Sequence, residues 1–187
     1  MKKRTTMLAL LLATGAGTCL QAQEKLTQFK VRDAITVRTP IMNDSINPKG
    51  EKYADKDLLK TPVVLDLADA PFQVLSTDTA GVLSFPKVEK DHSIYLLETS
   101  LRAERFMTGK LKVTSPARWE IFINGESKMS KENAEDSISG ASTREVNLRL
   151  EPEADYEITI KLLSGSKDKA VPTLKCELIK DDKFKDI

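Results

Sequence analysis

Side chains that could act as nucleophiles or metal ligands are scarce in this chain of 187 residues. His92 is the only histidine, and Cys19 and Cys176 are the only cysteines. Zinc sites use several such ligands, and a serine–histidine–aspartate triad could use only His92, which lies in a charged segment. The nearest approach to the Gly-x-Ser-x-Gly elbow of α/β-hydrolases is the polar stretch Ser139–Ser142. The sequence therefore predicts a domain with no catalytic residue, metal or cofactor of its own.

Carboxylates are abundant, and three of them cluster within the polar segment 126–143. Glu132, Glu135 and Asp136 could hold a structural calcium ion through their oxygens, with a solvated acidic loop as the alternative interpretation. Paired carboxylates also hydrolyse glycosidic bonds, but glycosidase clefts usually carry several aromatic platforms. Only 5% of this chain is aromatic. The composition therefore favours a non-catalytic role for these acids.

One strand-like segment, Arg118–Asn124, carries aromatic side chains that could stack on a sugar ring. It alternates between two faces, with Trp119, Ile121 and Ile123 on one and Glu120, Phe122 and Asn124 on the other. We name Phe122, Trp119 and Asn124 as candidate ligand contacts. Trp119 shares its face with isoleucines, which favours a place in the core. Phe122 is the better candidate for an exposed contact, and packing beneath the long loop explains it equally well.

Two-residue alternation of apolar and polar side chains recurs throughout the second half of the chain. It appears in Ser93–Phe106, Lys110–Thr114, Arg118–Asn124, Val146–Leu150, Tyr156–Leu162 and Thr173–Ile179. Such alternation is typical of strands with one buried and one wet face, which antiparallel sheets permit. We predict an all-β fold, an antiparallel two-sheet β-sandwich of jelly-roll type with about eight to ten strands. Cys176 is then a small buried side chain.

Local signals predict two hairpins and one short helix. Asn124-Gly125 is a strong hairpin signal because both residues tolerate positive φ. Asp78–Gly81 is expected to join Phe72–Leu75 to Val82–Phe85 as a second hairpin. The segment Lys128–Asp136 is the best candidate for a helix. Within it, Lys128-Met-Ser-Lys131 matches a short signature of tRNA synthetases, which we attribute to chance.

The remaining patterns divide the chain into four parts. These are a signal peptide at 1–22, an N-terminal strand with a long polar connection at 23–62, the β-sandwich at 63–180, and a charged tail or linker at 181–187. The strand is Phe29–Val37, which ends before Pro40. Pro62–Leu67 is a short apolar run that we expect to be buried.

The first 22 residues have the order of a secretory signal peptide. A basic start, Lys2–Arg4, precedes an apolar stretch that begins at Met7 and small residues that end at Ala22. The apolar part is shorter than the roughly 20 residues that span a bilayer. We expect cleavage after Ala22 and a periplasmic or cell-surface location. Cleavage before a lipidated Cys19 is an alternative, as is an amphipathic helix of a cytosolic protein. The net charge of +1 does not suggest nucleic acid as a partner.

Two resemblances follow from these motifs. Arg118–Glu126 and Leu150–Lys161 resemble the hairpin and the following turn and strand of galactose-binding-like jelly rolls. The leader, Phe29–Asp33 and Thr39–Ser45 are similar to the N-terminal region of large exported hydrolases of Bacteroidota. In those hydrolases a β-sandwich precedes a β-propeller and a prolyl-oligopeptidase-like catalytic domain. The resemblance implies that this chain is the accessory domain alone, without the catalytic residues.

The same lineage often O-glycosylates Asp-Ser or Asp-Thr pairs that precede a small apolar residue or threonine. Ser45, Thr79 and Ser137 fit that pattern and fall in predicted loops, where a surface modification is accommodated. These three residues are therefore the candidate modification sites that the resemblance implies.

Three functions are open at this stage. The leading hypothesis is an accessory domain that packs an apolar sheet face against a neighbouring hydrolase domain or protein, which predicts an exposed apolar patch. The alternative is a stand-alone carbohydrate-binding module, which predicts exposed aromatic side chains on one sheet face and a glycan partner. A hydrolase with a cryptic site is the third hypothesis.

Overall fold

The computed structural model describes residues 23–37, 46, 49–51, 53–63 and 71–180. These residues form two antiparallel β-sheets that pack face to face, with one short helix, α1 (Asp55–Leu58). The predicted all-β, two-sheet sandwich is therefore confirmed. Within the described ranges, no helix combines the length and apolarity needed to cross a lipid bilayer.

Twelve strands are found in the described part of the chain, a few more than predicted. In chain order they are β1 (Gln23–Lys25), β2 (Gln28–Arg32), β3 (Ile35–Val37), β4 (Phe72–Ser76), β5 (Val82–Ser84), β6 (His92–Arg102), β7 (Met107–Thr114), β8 (Arg118–Ile123), β9 (Glu126–Lys131), β10 (Thr143–Leu150), β11 (Asp155–Gly165) and β12 (Thr173–Lys180). The smaller sheet has the order β1-β12-β7-β10, and β5 also pairs with β12. The larger sheet has the order β4-β2-β6-β11-β8-β9, and β3 also pairs with β6.

The main core lies between the two sheets and consists of the apolar positions that the alternation predicts. Trp119 and Ile121 of β8 are fully buried, as are Leu111 and Val113 of β7 on the opposite sheet. Cys176 of β12 is 1% exposed and belongs to the same cluster, as predicted. Alternation thus specifies which side of each strand faces the partner sheet.

A second, smaller core covers one half of the outer face of the larger sheet. Leu58 and Leu59, at the end of α1, pack on Ile94, Leu96 and Leu163. Ile94 and Leu96 are fully buried although their neighbours in β6 face the main core. A strand that is apolar on both faces needs a cover on each, and the segment around α1 supplies the second one.

The hairpin at Asn124-Gly125 is confirmed, but its second strand was predicted wrongly. Asn124 and Gly125 both have positive φ, at 50° and 76°. The chain then returns as β9, paired with β8, where a helix over Lys128–Asp136 was expected. Pairing to the exposed edge of β8 supplies backbone hydrogen bonds that outweigh the local helix propensity of this segment.

The predicted pairing around Asp78–Gly81 is also wrong, although the turn itself forms. Gly81 N donates to Asp78 O at 3.0 Å, and Gly81 has a φ of 84°. The strands on either side belong to different sheets, because β4 pairs with β2 and β5 pairs with β12. The turn therefore carries the chain from one sheet to the other.

Other boundaries differ by a few residues or fall outside the described ranges. The predicted strand Phe29–Val37 is divided into β2 and β3, and the strand predicted for Ser93–Phe106 ends at Arg102. The leader at 1–22, the tail at 181–187 and most of Pro62–Leu67 lie outside the described residues.

Candidate functional site

The open half of the larger sheet's outer face carries one row of residues across five strands. The register pairs Val74 with Lys30, Lys30 with Glu98, Glu98 with Thr159, and Thr159 with Phe122. Neighbouring strands lie about 4.8 Å apart, so the row is roughly 19 Å long. Their chain neighbours Phe29, Leu97 and Ile158 point into the main core. Along the outer face the row therefore runs from the exposed apolar Val74 through the charged Lys30 and Glu98 to the buried Thr159 and the partly buried Phe122.

This row borders a groove, called here the face groove, with a volume of about 940 Å³. Its lining includes Lys30, Val74, Glu98, Asn124 and Glu157. Small-molecule sites in proteins typically enclose about 300 to 1,000 Å³. The face groove is therefore large enough for more than one ring of a polar ligand.

Lys30 and Glu98 form an ion pair on the floor of the face groove. Lys30 Nζ lies 2.8 Å from Glu98 Oε1 and 5.4 Å from the centroid of the Phe72 ring. The hydrogen bond and the negative charge of Glu98 raise the pKa of Lys30. Phe72 and Val74 on the edge strand β4 are 44% and 60% exposed. A charged donor–acceptor pair thus lies beside exposed apolar surface.

Asn124 holds the tip of the β8–β9 hairpin against β11. Its Oδ1 accepts a hydrogen bond from Glu157 N at 2.9 Å, and its own N donates to Glu157 O at 2.9 Å. The side-chain oxygen is therefore engaged, and the NH₂ group is what Asn124 can offer to a ligand. Of the predicted ligand contacts, Asn124 is the one that lines the face groove.

The other two predicted contacts lie elsewhere. Trp119 is fully buried in the main core, which excludes it from stacking on a ligand and agrees with the core interpretation. Phe122 is partly buried and lines a separate cavity of about 290 Å³ together with Pro62 and Val63. Its neighbour is thus the segment after α1 and not the loop 126–143. No sequence pattern singled out Lys30, Phe72 or Glu98 as contacts, because they lie on three strands that are distant in the chain.

Lys161 anchors that segment beside Phe122. Its side chain is buried, and Lys161 Nζ donates to Thr61 O at 2.5 Å. Burial lowers the pKa of this lysine, partly opposed by the charge of Glu120. The contact holds the segment after α1 against β11, and both residues line the cavity next to Phe122.

A cluster of four polar side chains joins the start of α1 to the larger sheet. Arg118 Nη2 lies 3.1 Å from Asp55 Oδ2, and Arg118 Nη1 lies 3.0 Å from both oxygens of Asp168. His92 Nε2 lies 3.2 Å from Asp55 Oδ1. The single histidine thus contacts a carboxylate that also binds arginine. This arrangement holds α1 in place, because Asp55 contacts side chains from two different strands, Arg118 of β8 and His92 of β6.

The three clustered acids are each next to lysine. Glu135 Oε2 lies 2.8 Å from Lys131 Nζ, and Asp136 Oδ2 lies 2.6 Å from Lys169 Nζ. Glu132 lies 3.8 Å from Lys56 Nζ and 3.9 Å from Lys60 Nζ. In the part of the chain that the structure describes, no three His, Cys, Asp or Glu side chains are grouped as metal ligands. The structure therefore offers no support for the calcium site.

Cys176 and the candidate modification sites can also be placed. Burial raises the pKa of the Cys176 thiol, which makes it a poor nucleophile. Thr79 and Ser137 are both exposed, in the loops where they were predicted, and Ser45 lies outside the described residues. O-glycosylation of these residues stays a prediction.

A second groove, called here the rim groove, lies where the β8–β9 hairpin faces the edge strand β10. It has a volume of about 340 Å³. Its polar lining consists of Asn124, Glu126, Lys128, Asn147, Arg149 and Tyr156. Lys128 pairs with Glu126 at 2.6 Å, and Arg149 Nε lies 3.1 Å from Glu151 Oε1. The Arg149 guanidinium also lies 5.1 Å from the centroid of the Phe106 ring.

No protein-family model matches the chain, and no curated protein sequence matches it. Solved structures resemble its fold at low identity. A β-glucosidase from Kluyveromyces marxianus in complex with glucose aligns over 83% of this chain and 16% of its own, with 9% identity and a TM-score of 0.47. The chain thus corresponds to about a sixth of that enzyme.

Two smaller domains align as well. The PA14 sugar-binding domain of an RTX adhesin aligns over 48% of this chain and 46% of its own, with 19% identity and a TM-score of 0.36. A family 35 carbohydrate-binding module from Clostridium thermocellum aligns over 55% of this chain and 94% of its own, with 9% identity and a TM-score of 0.36. These likenesses are too distant to assign a function, which has to be argued from the grooves.

Proposed function

We propose that this chain is a non-catalytic carbohydrate-binding module whose binding surface is the face groove. The observation that carries the proposal is the Lys30–Glu98 pair beside the exposed Phe72 ring. Pyranose rings are amphipathic, with an apolar C–H face and a rim of hydroxyl groups. A surface that binds them needs apolar area next to donors and acceptors held at fixed positions.

The groove meets both requirements. Phe72 and Val74 offer apolar surface on β4, and Lys30 and Glu98 offer a charged donor and a charged acceptor 2.8 Å apart. Hydrogen bonds to ionised groups are stronger than those between neutral groups. One sugar hydroxyl could accept a hydrogen bond from Lys30 Nζ and donate one to the Glu98 carboxylate. The sugar ring would then lie against Phe72.

The accessory-domain hypothesis predicts an exposed apolar patch, and the described part of the chain does not have one. Large apolar side chains exposed in the described ranges are Ile46, Phe72, Val74, Ile138 and Val171. Only Phe72 and Val74 share a strand; Val74 lines the face groove, and the Phe72 ring lies beside it, next to Lys30. No broad apolar sheet face is open in these ranges, and none of the solved structures reported above is a peptidase. A glycan is therefore the better partner to propose than a prolyl-oligopeptidase-like hydrolase.

Export belongs to the same proposal. The leader at 1–22 would direct the module to the periplasm or cell surface, where polysaccharides are accessible, with lipidation at Cys19 as the alternative route. Comparing the mass of the mature protein secreted by a bacterial host with the mass expected for cleavage after Ala22 tests this part.

A glycan array tests the binding function. The purified chain is expected to bind at least one glycan class, and Phe72→Ala and Glu98→Gln are each expected to abolish the signal. Val171→Ala is the matched control for Phe72→Ala, because Val171 is about equally exposed, whereas Phe72 lies beside Lys30 of the face groove and Val171 does not line it. Circular dichroism confirms that each variant is folded. Absence of any glycan hit, or signals unchanged in both groove variants, would refute the proposal.

A further inference from the structure

We infer that the module binds a neutral oligosaccharide that runs from the face groove over the hairpin tip into the rim groove. This inference rests on the carbohydrate-binding function proposed above. It adds the length of the glycan, its charge class and a second set of contacts.

The two grooves meet at Asn124, which lines both of them. Alternation along β11 places its neighbours on either side, since Asp155 and Glu157 line the face groove and Tyr156 lines the rim groove. A continuous surface therefore leads from one groove to the other at Asn124, and on the rim-groove side it also includes the apolar side chains of Ile123, Leu148 and Leu150. Together the grooves exceed the space that a single sugar ring requires.

The ridge between the grooves is held rigidly. Asn124 exchanges two hydrogen bonds with the backbone of Glu157, both 2.9 Å long. The positive φ of Asn124 and Gly125 closes the hairpin tightly at this point. A ligand that crosses the ridge meets a surface that is already ordered, so binding costs little additional conformational entropy in the protein.

The charged groups of both grooves favour a neutral chain. Lys30 is bonded to Glu98 in the face groove, where Asp155 also lies 3.5 Å from Arg102, Glu157 accepts a hydrogen bond from Thr159 and Lys25 donates to Thr79 O. In the rim groove Lys128 is bonded to Glu126. Arg149 is bonded to Glu151 at the rim groove's border. A glycan with a fixed charge would have to compete with these internal pairs. Neutral hydroxyl groups can join them as additional donors and acceptors.

Isothermal titration calorimetry with graded probes tests the inference. The probes are neutral β-1,4-linked gluco-, xylo- and manno-oligosaccharides of two, four and six units. In the series that binds, we expect the six-unit probe to bind at least tenfold more tightly than the two-unit probe. An oligogalacturonate of six units, which is acidic, is expected to bind more weakly than the neutral six-unit probe.

A bulky side chain placed in the rim groove shows how much that groove, as distinct from the face groove, contributes to affinity. Asn147→Trp is expected to reduce affinity for the six-unit probe to that of the two-unit probe and to leave the two-unit affinity unchanged. Thr143→Trp is the control, because Thr143 is an exposed position on β10 that does not line the rim groove.

The outcomes distinguish this inference from the function itself. Equal affinity for two and six units, or six-unit affinity unchanged by Asn147→Trp, would overturn the continuous site while leaving a face-groove module in place. Tighter binding of the acidic probe would overturn the neutral class. Failure of every probe and of the glycan array would remove both proposals.

Discussion

Lys131 lies inside the sandwich, and replacing it with methionine tests how the connection between β7 and β8 is held. The residue is 2% exposed, and Lys131 Nζ donates to Ser115 O at 2.7 Å and to Ala117 O at 3.2 Å. A third contact, at 2.8 Å, joins it to Glu135 Oε2. Burial lowers the pKa of Lys131, and the hydrogen bond and negative charge of Glu135 oppose that effect.

Methionine fills most of the same volume and removes all three bonds. Each buried carbonyl left without a donor costs about 1–3 kcal/mol, and a buried ion pair that loses one partner costs about 3–5 kcal/mol. Water can reach Glu135, whose side chain is 27% exposed, so the lower part of this range applies. The low ends of these ranges sum to about 5 kcal/mol, but removing the ammonium group also removes its own desolvation cost, which offsets part of the loss. We therefore expect Lys131→Met to lower the free energy of unfolding by about 3 kcal/mol, a large share of the typical 5–15 kcal/mol.

Urea denaturation followed by tryptophan fluorescence measures this loss. Trp119 is the only tryptophan and pairs directly with Lys131 across β8 and β9, so its emission reports on the affected region. Lys128→Met is the matched control on the same strand. Because Lys128 pairs with an exposed Glu126, we expect its loss to change stability by less than about 0.5 kcal/mol. A loss below about 1 kcal/mol in Lys131→Met would refute the reasoning.

Two further predictions concern the sheets and the acidic loop. Gly109→Ala places a methyl group against the carbonyl of Ile179 on the paired strand, so we expect a loss of about 1–3 kcal/mol, seen as a lower Tm. Burial opposes ionisation of Glu135, but hydrogen bonds from Lys131 and Ser142 outweigh it and hold the pKa of Glu135 below its ordinary value of 4.5. The resulting stability is fully present above pH 4.5 and is lost as the pH falls through the folded-state pKa, which denaturation across pH 3 to 7 measures.

Each of these two predictions has its own control. Gly140→Ala adds a methyl group in an exposed loop and is expected to leave the Tm nearly unchanged; a Tm equal to wild type in Gly109→Ala would contradict the steric argument. Glu135→Gln cannot titrate and should flatten the acid limb of the stability profile. An acid limb of the same slope in this variant would show that other carboxylates are responsible.

The interior of the sandwich could be predicted well, whereas the binding surface could not. Trp119 and Cys176 were both expected in the core, and both are there, because their neighbours two residues away are apolar. Phe72 was noted only as part of a hairpin that does not form. Its relation to Lys30 and Glu98 depends on β4 pairing with β2 and β2 with β6, and Lys30 and Glu98 are separated by 68 positions in the chain.

Lys131 is a core residue whose environment could not be predicted from the sequence. It belongs to a polar four-residue motif with Lys128, and local propensity favoured a helix with both lysines in water. Pairing β9 against β8 turns Lys131 to the inner face, next to Trp119, and leaves Lys128 outside. A lysine at an inner position is tolerated only because Ser115 O, Ala117 O and Glu135 contact its ammonium group. No local sequence pattern predicts those partners.

The sequence by itself determined the all-β class, the antiparallel character of the sheets, the faces of the strands and the Asn124-Gly125 turn. Those properties follow from the two-residue repeat of a pleated strand and from the φ preferences of single residues, which act over short distances. Only the tertiary structure decided which strands are neighbours, where α1 covers the sheet, and which side chains line the grooves. These features depend on contacts between segments far apart in the chain, and any sandwich with the same alternation could have joined them differently.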